Sequence, residues 1–565
     1  MIKKWLAYNK DYSMINEMKE ELNISDALAR ILINRDIKTI EGAEIFLNPD
    51  MEELEDPFIM KGIDSAVGRI EKAIYNDEKI CIYGDYDVDG ITSLSMLYIV
   101  LKKLGANVTY YIPKRLEEGY GLNIDAIEKI IEEDVGLIIS VDCGIRSVEE
   151  VKYINEHNKE IIVTDHHECG DEIPEAYSVI NPHQEDCPYP FKYFAGAGVA
   201  FKLVCALAQR FNKYDLPFEI IDLAALGTVA DVVPLLGENR IIVKYGLEKI
   251  KSNPNLGIKA LIKASGLEIC VVDTYHLSFM IAPRLNAAGR VSDPILGVKL
   301  LIAEEEDIAI KIAEELNKAN YQRQNIENEI LNDAVDIINR TFDKKNEKVI
   351  VVSGQNWHIG VIGIVASKLT DKYGLPVVMI SVEDKVGRGS ARSIPGFDLY
   401  SVLNKCSFLF EKFGGHQMAA GLTIKEDNIE RFKNLVNEIA LKMFRDKDFT
   451  PEILIDYKIE NIKMLPQLVQ ELEMLKPYGE GNPVPLFVFR GLTIRDMSLL
   501  GNGKHISLRL SDGTDVIRGI GFNIGFIINY IAVNEKIDII CSVEKNLWNG
   551  IEYIQLNIKD IKKTK

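Results

Sequence analysis

The sequence predicts an α/β protein built around a parallel sheet and followed by a region of short strands. Three apolar runs early in the chain are rich in β-branched residues and end abruptly in Asp or His: KICIYGDYDVDG, VGLIISVDCG and KEIIVTDHHE. Stretches with helical periodicity, such as TSLSMLYIVLKKLGA and SVEEVKYINEHN, separate them. Buried strands that alternate with amphipathic helices are typical of a parallel sheet covered by helices on both faces.

Length and composition indicate several folding units of an ordinary globular protein. The chain has 565 residues, too many for one core, and 47% of them are hydrophobic and 27% charged. The first residues, MIKKWLAYNKDY, lack the apolar run of a signal peptide, and no apolar stretch is long enough to cross a bilayer. The eight cysteines are scattered without zinc-like spacing. We therefore expect a cytoplasmic protein with reduced thiols and no membrane contact.

The segment DYDVDGITSLSM, from Asp85 to Met96, begins like a calcium-binding EF-hand loop. Such a loop needs a bidentate Glu at its twelfth position and a helix before its first. Here the twelfth position is Met96, and an apolar strand comes first. The EF-hand interpretation therefore fails.

A cluster of acidic residues is predicted instead, because ligands gather at the carboxyl edge of parallel strands. Asp231 ends a further apolar run, LAALGTVADVVPL, and we expect it at the tip of a fourth strand. Any one Asp could equally be a helix cap or a turn residue, but so many at strand ends are not expected by chance. The predicted cluster contains Asp85, Asp87, Asp89, Asp142, Asp165, His166, His167 and Asp231.

Divalent cations would hold these carboxylates together, since unpaired they would repel one another in a shared cleft. Oxygen and imidazole donors without thiolate favour Mn²⁺ or Mg²⁺ over zinc. Two such ions side by side would make a phosphoester-hydrolysing site. The net charge of −19 argues against a nucleic-acid partner, but cations bound in the cluster would offset part of it.

The motifs DYDVDG, VDCG, TDHH and GTVADVVPL, in this order, resemble the four motifs of the DHH phosphoesterase superfamily. Their context is similar to that of the RecJ family of bacterial single-strand-specific 5′→3′ exonucleases. The likeness covers nearly the whole chain, through PKRLEEGYGLN, NPHQEDCPYPFKYFAGAGVAFKL, APRLNAAGRVSDP, LNKANYQRQNIE, WHIGVIGIVASKL, GRGSARSIPGFDL, GGHQMAAG and LKPYGEGNPVPLF.

The resemblance implies a catalytic domain at 61–303 that holds two divalent metal ions, Mn²⁺ or Mg²⁺. The implied ligands are Asp87, Asp89, Asp142, His166, His167 and Asp231. Asp85 and Asp165 also match the pattern, but either could instead be a catalytic residue that orients a neighbouring ligand. His166 and His167 cannot point the same way from a regular strand, so the chain must leave the strand there. One of the two histidines could contact the scissile phosphate instead of a metal.

A connecting helix at 304–345 is expected to join the catalytic domain to a second α/β domain at 346–448 across a groove. In that domain GRGSARS places two arginines among small residues, and FGGHQMAAG is rich in glycine and alanine. Arginine side chains and the backbone N–H groups of small residues can both reach a phosphate. The resemblance associates this region with the 5′ end of the strand, although His416 could equally be satisfied by a backbone group. The expected substrate-binding residues are Arg115, Arg284, Arg290, Arg323, Gln324, Ser390, Arg392 and His416.

Two further units complete the predicted architecture. Residues 453–565 contain five short strands with polar turns and no long helix, which predicts an OB-like barrel of the kind that stacks single-stranded bases on aromatic rings. Residues 1–60 are expected to form a helical segment packed on the catalytic domain.

The function implied by the resemblance is single-stranded-DNA-specific 5′→3′ exonuclease activity that releases 5′-mononucleotides in DNA repair and recombination. The partners would be single-stranded DNA with a 5′ end, single-strand-binding protein and a helicase. One alternative is a DHH phosphodiesterase acting on short RNA or cyclic dinucleotides, which would generally lack the barrel. A second is a non-catalytic DNA-binding scaffold, which would be expected to have lost metal ligands. DNA is preferred over RNA on the resemblance alone.

Overall fold

The structure is a computed structural model that describes residues 3–114, 118–119, 121–444, 450–548 and 551–564. Within these residues no helix is both long and apolar enough to span a membrane. The amino-terminal segment contains β1 (Lys4–Ala7), α1 (Ile15–Leu22), α2 (Asp26–Asn34) and α3 (Ile40–Leu47). Short 3₁₀ turns lie at Met51–Glu53, Pro57–Ile59, Ile269–Val271, Ser407–Leu409, Glu426–Asn428, Ile462–Met464 and Gly525–Asn529.

The first domain is a five-stranded sheet with helices on both faces. Its first elements are α4 (Ile63–Tyr75), β2 (Ile80–Gly84), α5 (Val88–Lys103), β3 (Val108–Tyr111), α6 (Ile124–Glu132), β4 (Leu137–Val141), α7 (Val148–Glu156), β5 (Glu160–Thr164) and β6 (Ser178–Ile180). A helical layer follows: α8 (Gly196–Arg210), α9 (Leu216–Ala230), α10 (Gly237–Ser252), α11 (Leu256–Ala264), α12 (Thr274–His276), a π-helical turn (Leu277–Ile281), α13 (Ala282–Val291) and α14 (Ile295–Leu301).

All strands of this sheet are parallel, in the order β3-β2-β4-β5-β6. Alternate side chains of β2 point to opposite faces, as the two-residue period of a strand requires. Ile80 and Ile82 lie in the core with α4, α5 and α8, whereas Cys81 and Tyr83 lie in the core with α6 and α7. The predicted parallel sheet with two covered faces is therefore confirmed.

One long helix, α15 (Glu306–Thr341, 36 residues), leaves the first domain. Ala309, Ala313 and Leu316 of its first half belong to the core of the first domain. Ile330, Ala334 and Ile338 of its second half belong to a core of the second domain. The predicted connecting helix is confirmed, and it packs into the cores of both domains.

The second domain also has an α/β fold, as predicted. It contains β7 (Ile350–Gln355), α16 (Ile359–Tyr373), β8 (Val377–Glu383), β9 (Val386–Arg392), α17 (Leu399–Asn404), β10 (Phe410–Gly415), β11 (Ala419–Lys425) and α18 (Ile429–Met443). The strand order is β10-β11-β9-β8-β7, and of these pairs only β7–β8 is parallel.

The carboxy-terminal region forms a closed barrel, which confirms the OB-like prediction. It contains β12 (Glu452–Ile455), β13 (Tyr457–Ile459), α19 (Leu465–Met474), β14 (Phe487–Leu500), β15 (His505–Ser511), β16 (Val516–Gly521), β17 (Lys536–Trp548) and β18 (Ile551–Lys563). The barrel order is β14-β15-β16-β18-β17, and pairing of β14 with β17 closes it.

The amino-terminal helices lie elsewhere than expected. Met18, Leu28 and Leu32 share a hydrophobic core with the barrel strands, and β1 pairs with β12. The expectation that residues 1–60 pack on the catalytic domain is therefore wrong for most of this segment. The physical reason is that the catalytic sheet already has both faces covered by its own helices, while one side of the barrel leaves apolar surface to bury.

Candidate active site

Three acidic residues lie at one edge of the first sheet because three neighbouring strands end there in register. Asp85, Asp142 and Asp165 directly follow β2, β4 and β5, and the last residues of these strands are paired partners. Asp142 has a left-handed backbone (φ 60°), which turns the chain immediately after its strand. The carboxyl edge of the parallel sheet thus gathers the carboxylates.

Two further ligand candidates belong to the helix that follows the first of these strands. Asp87 is the N-cap of α5 and accepts a hydrogen bond from Gly90 N at 3.1 Å. Asp89 lies in the first turn of the same helix. Gly90 is required at this turn because a Cβ there would lie 2.5 Å from the carbonyl oxygen of Asp85.

Asp231 is at the end of a helix and not, as expected, at the tip of a strand. It follows α9, and its backbone N–H donates to Gly227 O at 3.0 Å. The apolar run before it is buried on nearly all sides between neighbouring helices. A run without polar faces has no helical period to detect, so its sequence resembles that of a buried strand.

The acidic and histidine side chains form three overlapping groups. Within each group, one possible ligand atom per residue lies within 4.8 Å of the others. The groups are Asp142, His166 and His167; Asp89, His166 and Asp231; and Asp85, Asp87 and Asp142. All six residues predicted as metal ligands are brought together, Asp85 joins them, and Asp165 does not.

His166 lies at the centre of this arrangement. Its Nε2 atom is 3.2 Å from Asp142 Oδ1 and 3.7 Å from both Asp89 Oδ2 and Asp231 Oδ2. This nitrogen is buried and makes no hydrogen bond with any residue that the structure describes. Burial and the neighbouring His167 lower the pKa of His166 to about 4, so the ring is neutral at neutral pH and offers a lone pair.

The carboxylates around His166 repel one another in a buried setting. Burial and the charges of Asp231 and Asp87 raise the pKa of Asp89, and burial and Asp89 raise the pKa of Asp142. Burial and Asp87 raise the pKa of Asp231 to about 7. Several carboxylate oxygens thus surround an imidazole nitrogen that has no described hydrogen-bond partner. Such a set of ligand atoms fits hard divalent cations such as Mn²⁺ or Mg²⁺.

Asp165 orients His167. His167 Nδ1 is 2.7 Å from Asp165 Oδ1, and Asp165 also accepts a hydrogen bond from Ile145 N at 2.9 Å. Burial alone would lower the pKa of His167. The hydrogen bond with Asp165 and the negative charges of Asp165, Asp231 and Asp87 together outweigh burial and raise that pKa. With its Nδ1 bonded to a carboxylate, His167 presents Nε2 to a ligand, an arrangement common in metal sites.

The chain leaves β5 after Thr164, as expected. The centroids of the His166 and His167 rings lie 4.4 Å apart. Asn181, after β6, donates from Nδ2 to the carbonyl oxygen of His167 at 2.9 Å. Asn181 is fully buried and holds the backbone at this point. Sequence reasoning missed it, and its place in NPH just after a strand was the available signal.

A second missed contribution comes from the start of α8. Asp89 accepts hydrogen bonds from Gly196 N at 2.6 Å and Ala197 N at 2.7 Å. A Cβ on Gly196 would lie 2.7 Å from the Cβ of Asp142. The glycine in AGAGVAF therefore allows two candidate ligands to approach the same helix end.

In the second domain, Ser390 and Arg392 lie together on β9. Arg392 Nη1 donates to Ser390 Oγ at 3.2 Å and to Ala391 O at 2.8 Å. A Cβ on Gly363 of α16 would lie 3.0 Å from Ser390 Oγ, so this helix runs close beside them. The exposed turn that carries His416 joins β10 to β11, and Ala419 at its end pairs with Arg392. The turn is closed by a hydrogen bond from His416 N to Ala419 O at 2.8 Å.

The remaining predicted substrate-binding residues have different surroundings. Arg284 donates to Asn317 Oδ1 at 2.9 Å and to Met280 O, so its guanidinium group serves contacts within the first domain. Arg323 contacts Asn320 and Glu327 on its own helix. Arg290 Nη1 donates to Gly360 O at 2.8 Å and so bridges the two domains. Gln324 is exposed on α15, and Arg115 lies outside the described residues.

Known protein families match three parts of the chain. Residues 79–228 match the DHH family, N-terminal domain, residues 346–442 match the DHHA1 domain, and residues 455–560 match the RecJ OB domain. The order of these matches agrees with the order of the three folded units described above.

Whole proteins match over most of their length. The single-stranded-DNA-specific exonuclease RecJ of Bacillus subtilis is 38% identical over 562 residues, which cover 99% of this chain and 70% of that protein. The protein of the same name from Haemophilus influenzae is 33% identical over 498 residues, which cover 85% of this chain and 86% of that protein. The crystal structure of RecJ in complex with Mn²⁺ from Thermus thermophilus is 30% identical, with a TM-score of 0.85, and covers 100% of this chain and 79% of that one.

Proposed function

Because the chain belongs to the RecJ family of single-stranded-DNA-specific exonucleases, we propose that it hydrolyses single-stranded DNA from the 5′ end and releases 5′-mononucleotides. The observation that carries this proposal is the convergence of three potential ligand groups on His166 and Asp142 at the sheet edge. We place two divalent metal ions, Mn²⁺ or Mg²⁺, in these groups. When bound, such ions supply a nucleophilic water and positive charge for the leaving oxygen.

The residues of the chain would hold this centre in one geometry. Asp89 is fixed by two backbone N–H groups of α8, and His167 is fixed by Asp165 on its ring and by Asn181 on its carbonyl group. Ligands fixed in advance need little reorganisation during the reaction, which favours catalysis.

The polarity of the reaction would come from Ser390 and Arg392. An arginine beside a hydroxyl group suits a terminal phosphate, because both donate hydrogen bonds to its oxygens. A short series of contacts links this pair to the metal centre. Gly289 lies against Tyr86, Arg290 bonds to Gly360 of α16, and Gly363 of the same helix lies against Arg392. A 5′ phosphate bound by Ser390 and Arg392 would therefore lie across the interface between the two domains from the metal ligands.

Single-strand specificity would be steric, and the barrel would guide the strand by base stacking, which tolerates every base. We assign the enzyme to DNA repair and recombination in the cytoplasm, beside single-strand-binding protein and a helicase, on the family relationship. The barrel, matched as a RecJ OB domain, is what favours this function over a phosphodiesterase of short RNA or cyclic dinucleotides.

The test is degradation of a 3′-labelled single-stranded DNA oligonucleotide with Mn²⁺, with and without a 5′ phosphate, beside matched RNA and blunt duplex. We expect the single strand to be shortened from its 5′ end while RNA and duplex are spared. The variant Asp87→Ala should abolish this activity. Intact DNA together with cleaved dinucleotides or short RNA would favour the alternative function.

A further inference from the structure

Arg240 of α10 joins the catalytic domain to the barrel region. Its side chain is 1% exposed, and every hydrogen bond described for it goes to a backbone carbonyl group. Nε donates to Phe46 O at 2.7 Å, Nη1 to Leu475 O at 3.0 Å and Pro477 O at 3.2 Å, and Nη2 to Met474 O at 3.2 Å and Lys476 O at 2.8 Å. The guanidinium group also lies 3.9 Å from the centre of the Phe46 ring.

Four of these carbonyl groups lie at the carboxy-terminal end of α19 or directly after it. A helix leaves its last four carbonyl groups without partners inside the helix, and that end carries partial negative charge. Met474 is the last residue of α19, and the next three residues supply the other acceptors. Arg240 therefore acts as a C-terminal cap for α19, supplied by a helix of another domain.

Two more hydrogen bonds attach the linker that begins at the end of α19, residues 474–480, to the catalytic domain. Leu235 N donates to Glu480 O at 2.8 Å, and Thr274 Oγ1 donates to Tyr478 O at 2.6 Å. Leu235 lies only four residues after Asp231, a member of the candidate metal centre. The segment 474–480, which leads into the first barrel strand β14, is thus held beside the loop that follows the metal centre.

We propose that Arg240 is a positioning residue, which sets the orientation of the barrel relative to the metal centre so that a strand held by the barrel meets the metals in line. This inference rests on the proposed exonuclease function. Arg240 makes no described contact with any member of the candidate metal centre, so it acts on the reaction through the linker. Its effect must therefore depend on substrate length: only a strand that reaches the barrel can sense the orientation of the barrel.

The test compares kcat and KM for two 5′-phosphorylated DNA substrates, a trinucleotide and a strand of roughly 30 nucleotides, longer than the 4–16 nucleotides that an OB fold covers. The variants are Arg240→Met, which removes the cap, and Thr274→Val, which removes one linker hydrogen bond at a partly exposed position. For the long strand we expect kcat/KM to fall roughly tenfold to a hundredfold in Arg240→Met, chiefly through kcat because the bound strand no longer meets the metals in line, and less in Thr274→Val. The trinucleotide should be cleaved as by the wild type.

Lys244→Met is the matched control, because Lys244 lies one turn further along α10 and donates to Pro49 O at 3.1 Å rather than to the linker. It should leave the ratio of long to short activity unchanged. A loss shared equally by both substrates would show a purely structural role and overturn the inference. If Arg240→Met does not fold, an unchanged ratio in Thr274→Val overturns it. Wild-type protein that cleaves neither DNA would instead overturn the proposed function itself.

Discussion

Asp89 caps the amino-terminal end of a neighbouring helix by accepting a hydrogen bond from the backbone N–H of Gly196 at 2.6 Å. A candidate metal ligand on α5 is thereby bonded to the first residue of α8. The same glycine leaves room for Asp142, whose Cβ would otherwise meet a side chain at 2.7 Å. The position of the carboxylates thus depends on how closely two helices approach, and not only on the strand ends.

Gly196→Ala should weaken metal binding, because the added methyl group displaces Asp142 and separates Asp89 from its hydrogen-bond donor. We expect the affinity for Mn²⁺ to fall roughly 10- to 100-fold, measured by calorimetric titration. Gly68→Ala is the control: Gly68 is an exposed residue of α4 with no atom near the added Cβ, and this variant should be more stable by about 1 kcal/mol. Equal Mn²⁺ affinity in both variants would contradict the expectation.

Asp165→Asn should impair the centre without removing a ligand. The amide cannot provide the negative charge that holds His167 with Nδ1 protonated, so the orientation of the ring is lost. We expect exonuclease activity and Mn²⁺ affinity to fall together, each by roughly 10- to 100-fold. Asp186→Asn, which changes an exposed carboxylate paired with Lys61, should leave both unchanged. Full activity of Asp165→Asn would show that His167 needs no such partner.

Arg392→Gln should reduce the preference for a 5′ phosphate. A hydrogen bond to a charged group contributes about 1.5–3 kcal/mol, so the ratio of kcat/KM for phosphorylated over unphosphorylated strands should fall roughly tenfold or more. Lys412→Gln removes an exposed cation from the edge strand β10 of the same domain and is the control for general charge. An unchanged ratio in Arg392→Gln would show that the terminal phosphate binds at another site.

Mn²⁺ should raise the thermal stability of the protein, because it neutralises carboxylates that repel one another when buried. At a hundredfold excess over Kd, binding to the folded state alone contributes about 2.7 kcal/mol. Asp142→Asn should be at least as stable as the wild type without metal and should lose most of this gain. Thermal unfolding with Mn²⁺ and with a chelator measures both effects. A wild-type protein whose Tm ignores Mn²⁺ would argue against a metal centre.

Much of the architecture follows from local sequence patterns. Strand ends marked by Asp85, Asp142 and Asp165 predict a gathering of carboxylates because parallel strands in register end at one edge. The sequence predicts a connecting helix over 304–345, and the helix occupies Glu306–Thr341. The prediction succeeds because helical periodicity is a local property of the sequence. Five short strands with polar turns were likewise enough to predict a barrel.

The amino-acid sequence by itself determined the fold class, the order of the units and the residue types available for metal binding, because these depend on local periodicity and on turns. Only the tertiary structure decided that Asp231 ends a helix, that α1–α3 share the core of the barrel and that Arg240 caps α19. Each of these features depends on contacts between residues far apart in the chain. Asp89 and Gly196 are separated by 107 positions, and no local pattern in either segment records their hydrogen bond.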